Sequence, residues 1–316
     1  MSDLSCHDSA MHEPLAGTAP NRRVWLIIEQ PGTWGENALL ESSLPVGLGE
    51  RLIAEIVAPE VGVLLARRPD IAAQERRTSN RRRIWLAHTS PSGVRMRAGS
   101  LDDVREVLKF DWAAIKRGEL PPLGRRSADP ALFICTNGKR DMCCAVEGRK
   151  VIDELRTDKE LTGQIYELSH IGGHRFAPTG LLLPWGYVLG RLDADDVRAI
   201  LSEAWDNRLN ADYLRGRSAL PTWAQVAEIA VRAKVPNLGI DSLDVLVNRG
   251  GKVLPWTMAA VIDELDLVEV RHLDGRAWRV EVALAQTAPR KISCGGELES
   301  GSAWQVNSVL ELNNWH

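Results

Sequence analysis

Apolar positions along the chain fall in short blocks separated by glycine, proline and charged clusters, the spacing of a mixed α/β (α+β) protein. Val24 to Glu29, Val61 to Ala66 and Ile84 to His88 are compact apolar runs that predict strands. An amphipathic stretch from about Gly49 to Val57 predicts a helix between the first two. Val104, Leu108, Trp112 and Ile115 recur at helical spacing and predict one continuous helix from Leu101 to Arg117. The run Gly118 to Gly124, with Pro121 and Pro122 inside it, ends that helix and predicts an extended connector.

Beyond the connector the pattern repeats more clearly. Ala131 to Cys135 predicts a strand, Thr136 to Asp141 a polar loop, Cys144 to Thr157 a helix and Gln164 to Ser169 a second strand. The loop His170 to Pro178 follows, then a hairpin pairing Gly180 to Leu183 with Tyr187 to Leu192, and a helix from Asp195 to Ala204. This β-α-β-β-β-α order is that of a thioredoxin-like domain, and the first half carries a weaker version of its opening, which predicts two related half-domains. The C-terminal part predicts a helix from Thr222 to Ala233 and a hairpin from Val268 to Leu284 turning at Asp274-Gly275. The expected division is a disordered leader 1–21, an N-terminal thioredoxin-like half 22–120, a second thioredoxin-like domain 127–206 and a C-terminal α+β extension 207–316 packing on the core.

Composition fits this picture. A chain of 316 residues is long enough for about two domains of roughly 150 residues. Its 44% hydrophobic and 26% charged residues are ordinary for a globular protein. No apolar run approaches the roughly 20 residues of a membrane span, and the N-terminus has neither a basic nor an apolar segment of a signal peptide. The expectation is a cytoplasmic protein without a membrane partner. A net charge of -3 gives no reason to expect nucleic acid. Charge is uneven, however: Arg67 to Arg83 holds seven arginines against Asp70 and Glu75, a local excess of +5. A solvated loop is the expected reading, with a docking face for an acidic partner as the alternative.

The candidate chemistry lies in two short stretches, Phe133-Ile134-Cys135-Thr136-Asn137-Gly138-Lys139-Arg140-Asp141-Met142-Cys143-Cys144 and His170-Ile171-Gly172-Gly173-His174. Three of five cysteines within ten positions, in a chain expected to meet reducing conditions, point to a metal rather than to disulfides. Cys135 and Cys144 stand at the two ends of one strand-to-helix loop. Gly172 and Gly173 allow a turn tight enough for His170 and His174 to face the same way. Two thiolates and two imidazoles suit a tetrahedral zinc ion, or an iron–sulfur cluster in which histidines serve one iron. The wide separation of the cysteines leans towards the cluster, and zinc stays open. A thioredoxin-like thiol enzyme using Cys143 or Cys144 is weaker, because adjacent cysteines are not a Cys-x-x-Cys pair and both histidines go unused. Cys6, in the leader, and Cys294, in a Ser-Cys-Gly-Gly turn, read as incidental. Trp34 reads as local core ahead of an interface anchor.

These motifs, with Glu29-Gln30-Pro31-Gly32-Thr33-Trp34-Gly35, Arg215-Gly216-Arg217-Ser218 and Ser293-Cys294-Gly295, resemble the sucrase/ferredoxin-like family, thioredoxin-like 2Fe-2S ferredoxins with bis-histidinyl ligation. The resemblance implies that Cys135 and Cys144 ligate one iron, that His170 and His174 ligate the other, and that Cys143 is a neighbour without a metal bond. It further implies an electron carrier that exchanges electrons with separate redox partners, a reductase and an acceptor. Neutral imidazole ligands would raise the potential, and a titrating imidazole would make it pH-dependent. Asn137 stands where many members carry histidine, so a contact around the ligands is expected to differ. The family's association with sucrose cleavage gains nothing from this sequence, in which no carboxylate pair placed for glycoside hydrolysis is recognisable.

Overall fold

A computed structural model describes residues 5–69, 81–91, 93–250, 252–258 and 267–312. Its centre is a run of sequence that is apolar without alternation. In β1 (Val24–Glu29) and β6 (Ala131–Cys135) nearly every side chain is buried, as expected of strands covered on both faces. Each is paired in parallel with the strand that follows it after a helical crossover, β1 with β2 (Val61–Arg67) and β6 with β7 (Ile165–Leu168). Each also takes an antiparallel neighbour on its other side: β3 (Arg82–His88) against β1, and β8 (Gly180–Leu183) against β6.

The two halves are therefore the same unit twice. β4 (Arg95–Leu101) extends β3, and β9 (Tyr187–Leu189) extends β8. The halves join edge to edge where β2 and β7 run antiparallel, with Ala66 opposite Leu168 and Arg67 opposite Glu167. Adding β5 (Arg125–Arg126) and β10 (Leu214–Arg217) gives one ten-stranded sheet, ordered β10-β9-β8-β6-β7-β2-β1-β3-β4-β5. The helices Leu48–Glu55, Met142–Leu155 and Ala194–Trp205 pack against it. The α+β class and the thioredoxin-like order expected from the sequence are both present.

Several boundaries differ. The helix expected from Leu101 to Arg117 is a 3₁₀ segment, Val104–Lys109, and a separate short helix, Trp112–Lys116. Asp103 and Asp111 each accept a backbone N–H just downstream, so each starts a new segment instead of propagating the old one. β4 buries only Met96 and has no apolar run to announce it. β10 belongs to the large sheet although residue 207 was expected to open a separate extension. The leader is also packed from residue 5 onward: a short helix, Cys6–Ser9, buries Cys6, and Ala10 and Ala19 are buried as well. Of the arginine-rich stretch, residues 70–80 lie outside the described residues. Arg67 pairs with Glu167 and lies over the Trp34 ring, which is core, and Arg68 pairs with Glu29.

The C-terminal part forms a second sheet, β12-β11-β13-β14-β15, from Lys252–Pro255, Leu243–Arg249, Leu267–His272, Ala277–Lys291 and Leu298–Glu311. Helix Thr222–Lys234 packs on it through Trp223, Ala227 and Val231. The same helix carries the buried Glu228 and Arg232, which meet the Tyr187 hydroxyl of β9 and so fasten the second sheet to the first.

Candidate metal centre

Strand β6 delivers Cys135 to the end of the sheet, and the loop after it runs into the helix Met142–Leu155. Asp141 starts that helix: its carboxylate accepts the Cys143 N–H at 2.9 Å, which places Cys143 and Cys144 in the first turn. Gly148, one turn further on, lies so near the end of β6 that a Cβ there would meet the Cys135 carbonyl oxygen at 2.1 Å. Successive helical residues point about 100° apart, so the two cysteines leave the helix in different directions. Cys144 turns to Cys135, and both are buried in the core shared with Phe133 and Tyr166. Cys143 turns away.

The histidines come from the loop after β7. Gly172 and Gly173 both have left-handed backbones, with φ of 89° and 74°. That double reversal stacks the His170 and His174 rings, with centroids 5.1 Å apart and planes at 27°. Gly173 is fixed by contact as well, since a Cβ would strike the Arg215 guanidinium at 2.3 Å. Arg215, buried on β10, donates to the Gly172 carbonyl at 2.8 Å and to Thr18, so it supports the loop from beneath.

Cys135, Cys144 and His170 present ligand atoms within 4.8 Å of one another. The Cys144 Sγ lies 4.0 Å from His170 Nδ1. His174 lies outside that group of three and stacks on His170: its Nε2 lies 2.7 Å from the Ile292 carbonyl and 3.7 Å from an Asp141 carboxylate oxygen, and its buried Nδ1 has no hydrogen-bond partner. A proton on Nε2 held by that carbonyl leaves a lone pair on Nδ1, the tautomer of a metal-ligating imidazole. Burial lowers the His174 pKa below its ordinary value, against the pull of Asp141, and so keeps the ring neutral. The Cys144 thiol, hydrogen-bonding to Cys135, holds the Cys135 pKa well below the usual thiol range although burial opposes it, and His170 adds to the effect. The pocket is thus disposed to carry a thiolate on Cys135 near the neutral His174 ring.

A second thiol group stands next to the first. Cys143 Sγ lies 3.4 Å from Cys6 Sγ and 3.2 Å from Cys294 Sγ, and Cys6 and Cys294 are 3.5 Å apart. Asp141 reaches into it, 3.9 Å from Cys6 Sγ, and also accepts the Cys294 N–H at 3.1 Å. Cys6 and Cys294, expected to be incidental, are therefore drawn to one place. The reason lies in two segments read as accessory. The leader is clamped by Glu13, which pairs with Arg175 and Arg290, and the end of β14 brings in Ile292 and Cys294. Asp141 was expected in the polar loop ahead of a helix from Cys144, whereas it caps a helix that begins at Met142; nothing local marks Arg215 or Glu13 as neighbours of the site. Asn137, at the family's expected variant position, donates to the Gly35 carbonyl at 3.1 Å and ties the cysteine loop to the N-terminal half.

Residues 15–216 match the model of the Sucrase/ferredoxin-like family. The chain belongs to that family. The matched span of this sucrase/ferredoxin-like protein contains Cys135, Cys144, His170 and His174 and excludes Cys6 and Cys294. A 51-residue stretch is 41% identical to Altered inheritance of mitochondria protein 32 of Candida glabrata, covering 16% of this chain and 16% of that protein. No solved structure matches the chain. Among the described residues, no helix is long and apolar enough to cross a membrane.

Proposed function

We propose that this protein is an electron carrier whose 2Fe-2S cluster is held by Cys135 and Cys144 on one iron and by His170 and His174 on the other. The observation that carries this reading is the sorting of donors into a thiol pair and a stacked imidazole pair, with the His174 Nδ1 buried and free of any hydrogen bond. The donor set fits such a cluster, and a bound cluster would supply one-electron chemistry. The protein's own residues do the rest. Ile292 orients the His174 ring, the buried Arg215 guanidinium sets a fixed positive charge beneath the histidine loop, and both histidines are only partly buried. Five unpaired cysteines suit a reducing compartment, which supports a cytoplasmic location, and electrons would come from and go to separate redox proteins.

Zinc at the same four residues is the second reading, favoured by the 4.0 Å approach of Cys144 to His170, which is close enough for a single ion. Anaerobic purification with iron, sulfide and zinc analysis, followed by electron paramagnetic resonance after dithionite reduction, decides between them. Two irons and two sulfides per chain are expected, with a reduced signal whose nitrogen coupling changes in His170→Ala and His174→Ala. A colourless protein that holds zinc at these residues would overturn the electron-carrier reading.

A further inference from the structure

Cys6, Cys143 and Cys294 are separated by 137 and 151 positions in sequence, yet their sulfurs form a closed triangle of 3.2, 3.4 and 3.5 Å sides with a carboxylate at its edge. We propose that Cys6, Cys143, Cys294 and Asp141 form a second metal site, a zinc site that clamps the leader and the end of β14 onto the N-terminus of the Met142–Leu155 helix. The inference stands apart from the electron-carrier reading, since it uses none of the four residues assigned to the cluster.

Size and donor type select the ion. A tetrahedral zinc with Zn–S near 2.3 Å sets its thiolates roughly 3.8 Å apart. An opening of a few tenths of an ångström in the triangle would admit it. A multinuclear cluster needs its thiolates spread much further. Three sulfurs and one carboxylate oxygen are soft and anionic donors, unsuited to magnesium or calcium.

The surroundings agree with a cation. Asp141 is buried with its two oxygens turned to the Cys143 and Cys294 N–H groups and to Cys6, and among the described residues its one ion-pair partner is His174, across 3.7 Å. The three thiols and the carboxylate come from three segments of the chain, and among the described residues Ala177 is the one other side chain in the buried cluster that the sulfurs form. An entry path exists: a surface hollow lined by Ser5, Met142, Cys143, Val146 and Cys294 opens directly onto two of the sulfurs. The geometry also explains why the helix begins with two adjacent cysteines. Cys144 serves the inner site and Cys143 the outer one, and Asp141 touches both through His174 and Cys294.

The test is elemental analysis of the full-length protein, purified anaerobically from zinc-containing medium, beside the variants Cys6→Ser, Cys294→Ser and Cys135→Ser/Cys144→Ser. One zinc per chain is expected in the wild type. It should be lost in Cys6→Ser and Cys294→Ser with iron content unchanged, and retained in the Cys135→Ser/Cys144→Ser variant, which should lose its iron. To keep the test independent of whether the outer-site variants fold, cobalt(II) is also titrated into the metal-stripped Cys135→Ser/Cys144→Ser chain, which lacks the inner thiolates. A tetrahedral cobalt–thiolate spectrum at one equivalent, abolished by one equivalent of zinc, supports the site. Zinc unaffected by both outer-site substitutions, absence of the cobalt spectrum, or a disulfide among these three cysteines in the anaerobically purified protein would overturn it.

Discussion

Gly172 and Gly173 share a left-handed backbone but differ in what surrounds them. Beyond Gly172 there is open space, whereas the buried Arg215 guanidinium fills the space that a side chain on Gly173 would need. Gly172→Ala should therefore cost about 1 kcal/mol of backbone strain. Gly173→Ala should cost about 3 kcal/mol, because the arginine must move as well, and should lose bound iron. Urea unfolding of the two variants, with iron content, checks the contrast. The adjacent glycines were readable as a tight turn between the histidines; the arginine beneath them was not, since it lies more than forty positions away. A pH dependence also belongs at this scale. His88 is buried with Nδ1 unpartnered, and burial, helped by the charges of Arg23 and Arg95, lowers its pKa below the ordinary 6.5. On acidification the unfolded chain takes up this proton before the folded one does. Stability from this group is therefore intact above about pH 6.5 and falls as pH drops towards the folded pKa. His88→Gln should flatten part of the slope of the urea midpoint between about pH 7 and pH 5; an unchanged slope would assign it to other groups.

Among the elements, a narrow junction is the seam between β2 and β7, where two residue pairs join the halves of a ten-stranded sheet. One of those pairs is the mostly buried ion pair of Arg67 and Glu167, and the Thr136 hydroxyl donates to the same carboxylate at 2.8 Å. Glu167→Ala should destabilise the protein by about 2–3 kcal/mol, since it strands a mostly buried guanidinium. The double variant Arg67→Met/Glu167→Leu should recover most of that loss, as thermal unfolding of the set would show. The strands of this seam were legible because central parallel strands are apolar throughout. Strands such as β4 and β15 were not, since they alternate weakly and leave most side chains partly exposed. Helix starts set by a single aspartate, at Asp103 and Asp111, likewise broke a periodicity that looked continuous.

At the level of the whole molecule, the site is assembled from the sheet and then covered by the leader and by the turn that follows β14. The leader contributes Cys6, Ala10 and Glu13, and Arg191 holds it by donating to the carbonyls of Ala10 and Glu13. A chain lacking residues 1–19 should melt several degrees lower and expose Cys143 to alkylation within its folded state. Mass spectrometry after brief iodoacetamide treatment reads this out, and a Cys143 as protected as in the intact protein would deny the leader its covering role. Long-range closure of this kind is invisible to local patterning. A twenty-residue stretch rich in small and polar residues reads as disordered until its partners, Arg175, Arg191 and Arg290, are known to converge on it.

The outer thiol cluster draws on residues 6, 143 and 294 of a 316-residue chain. Translation therefore releases Cys6 288 positions before Cys294. Until Cys294 has left the ribosome the cluster has two members at most, and a product cut short before that point carries Cys6 and Cys143 without their third companion. Synthesis past Cys294 is thereby written into thiol reactivity, and a quality-control system that senses reactive cysteines would have a direct way to tell chains that carry all three sulfurs from chains that carry two.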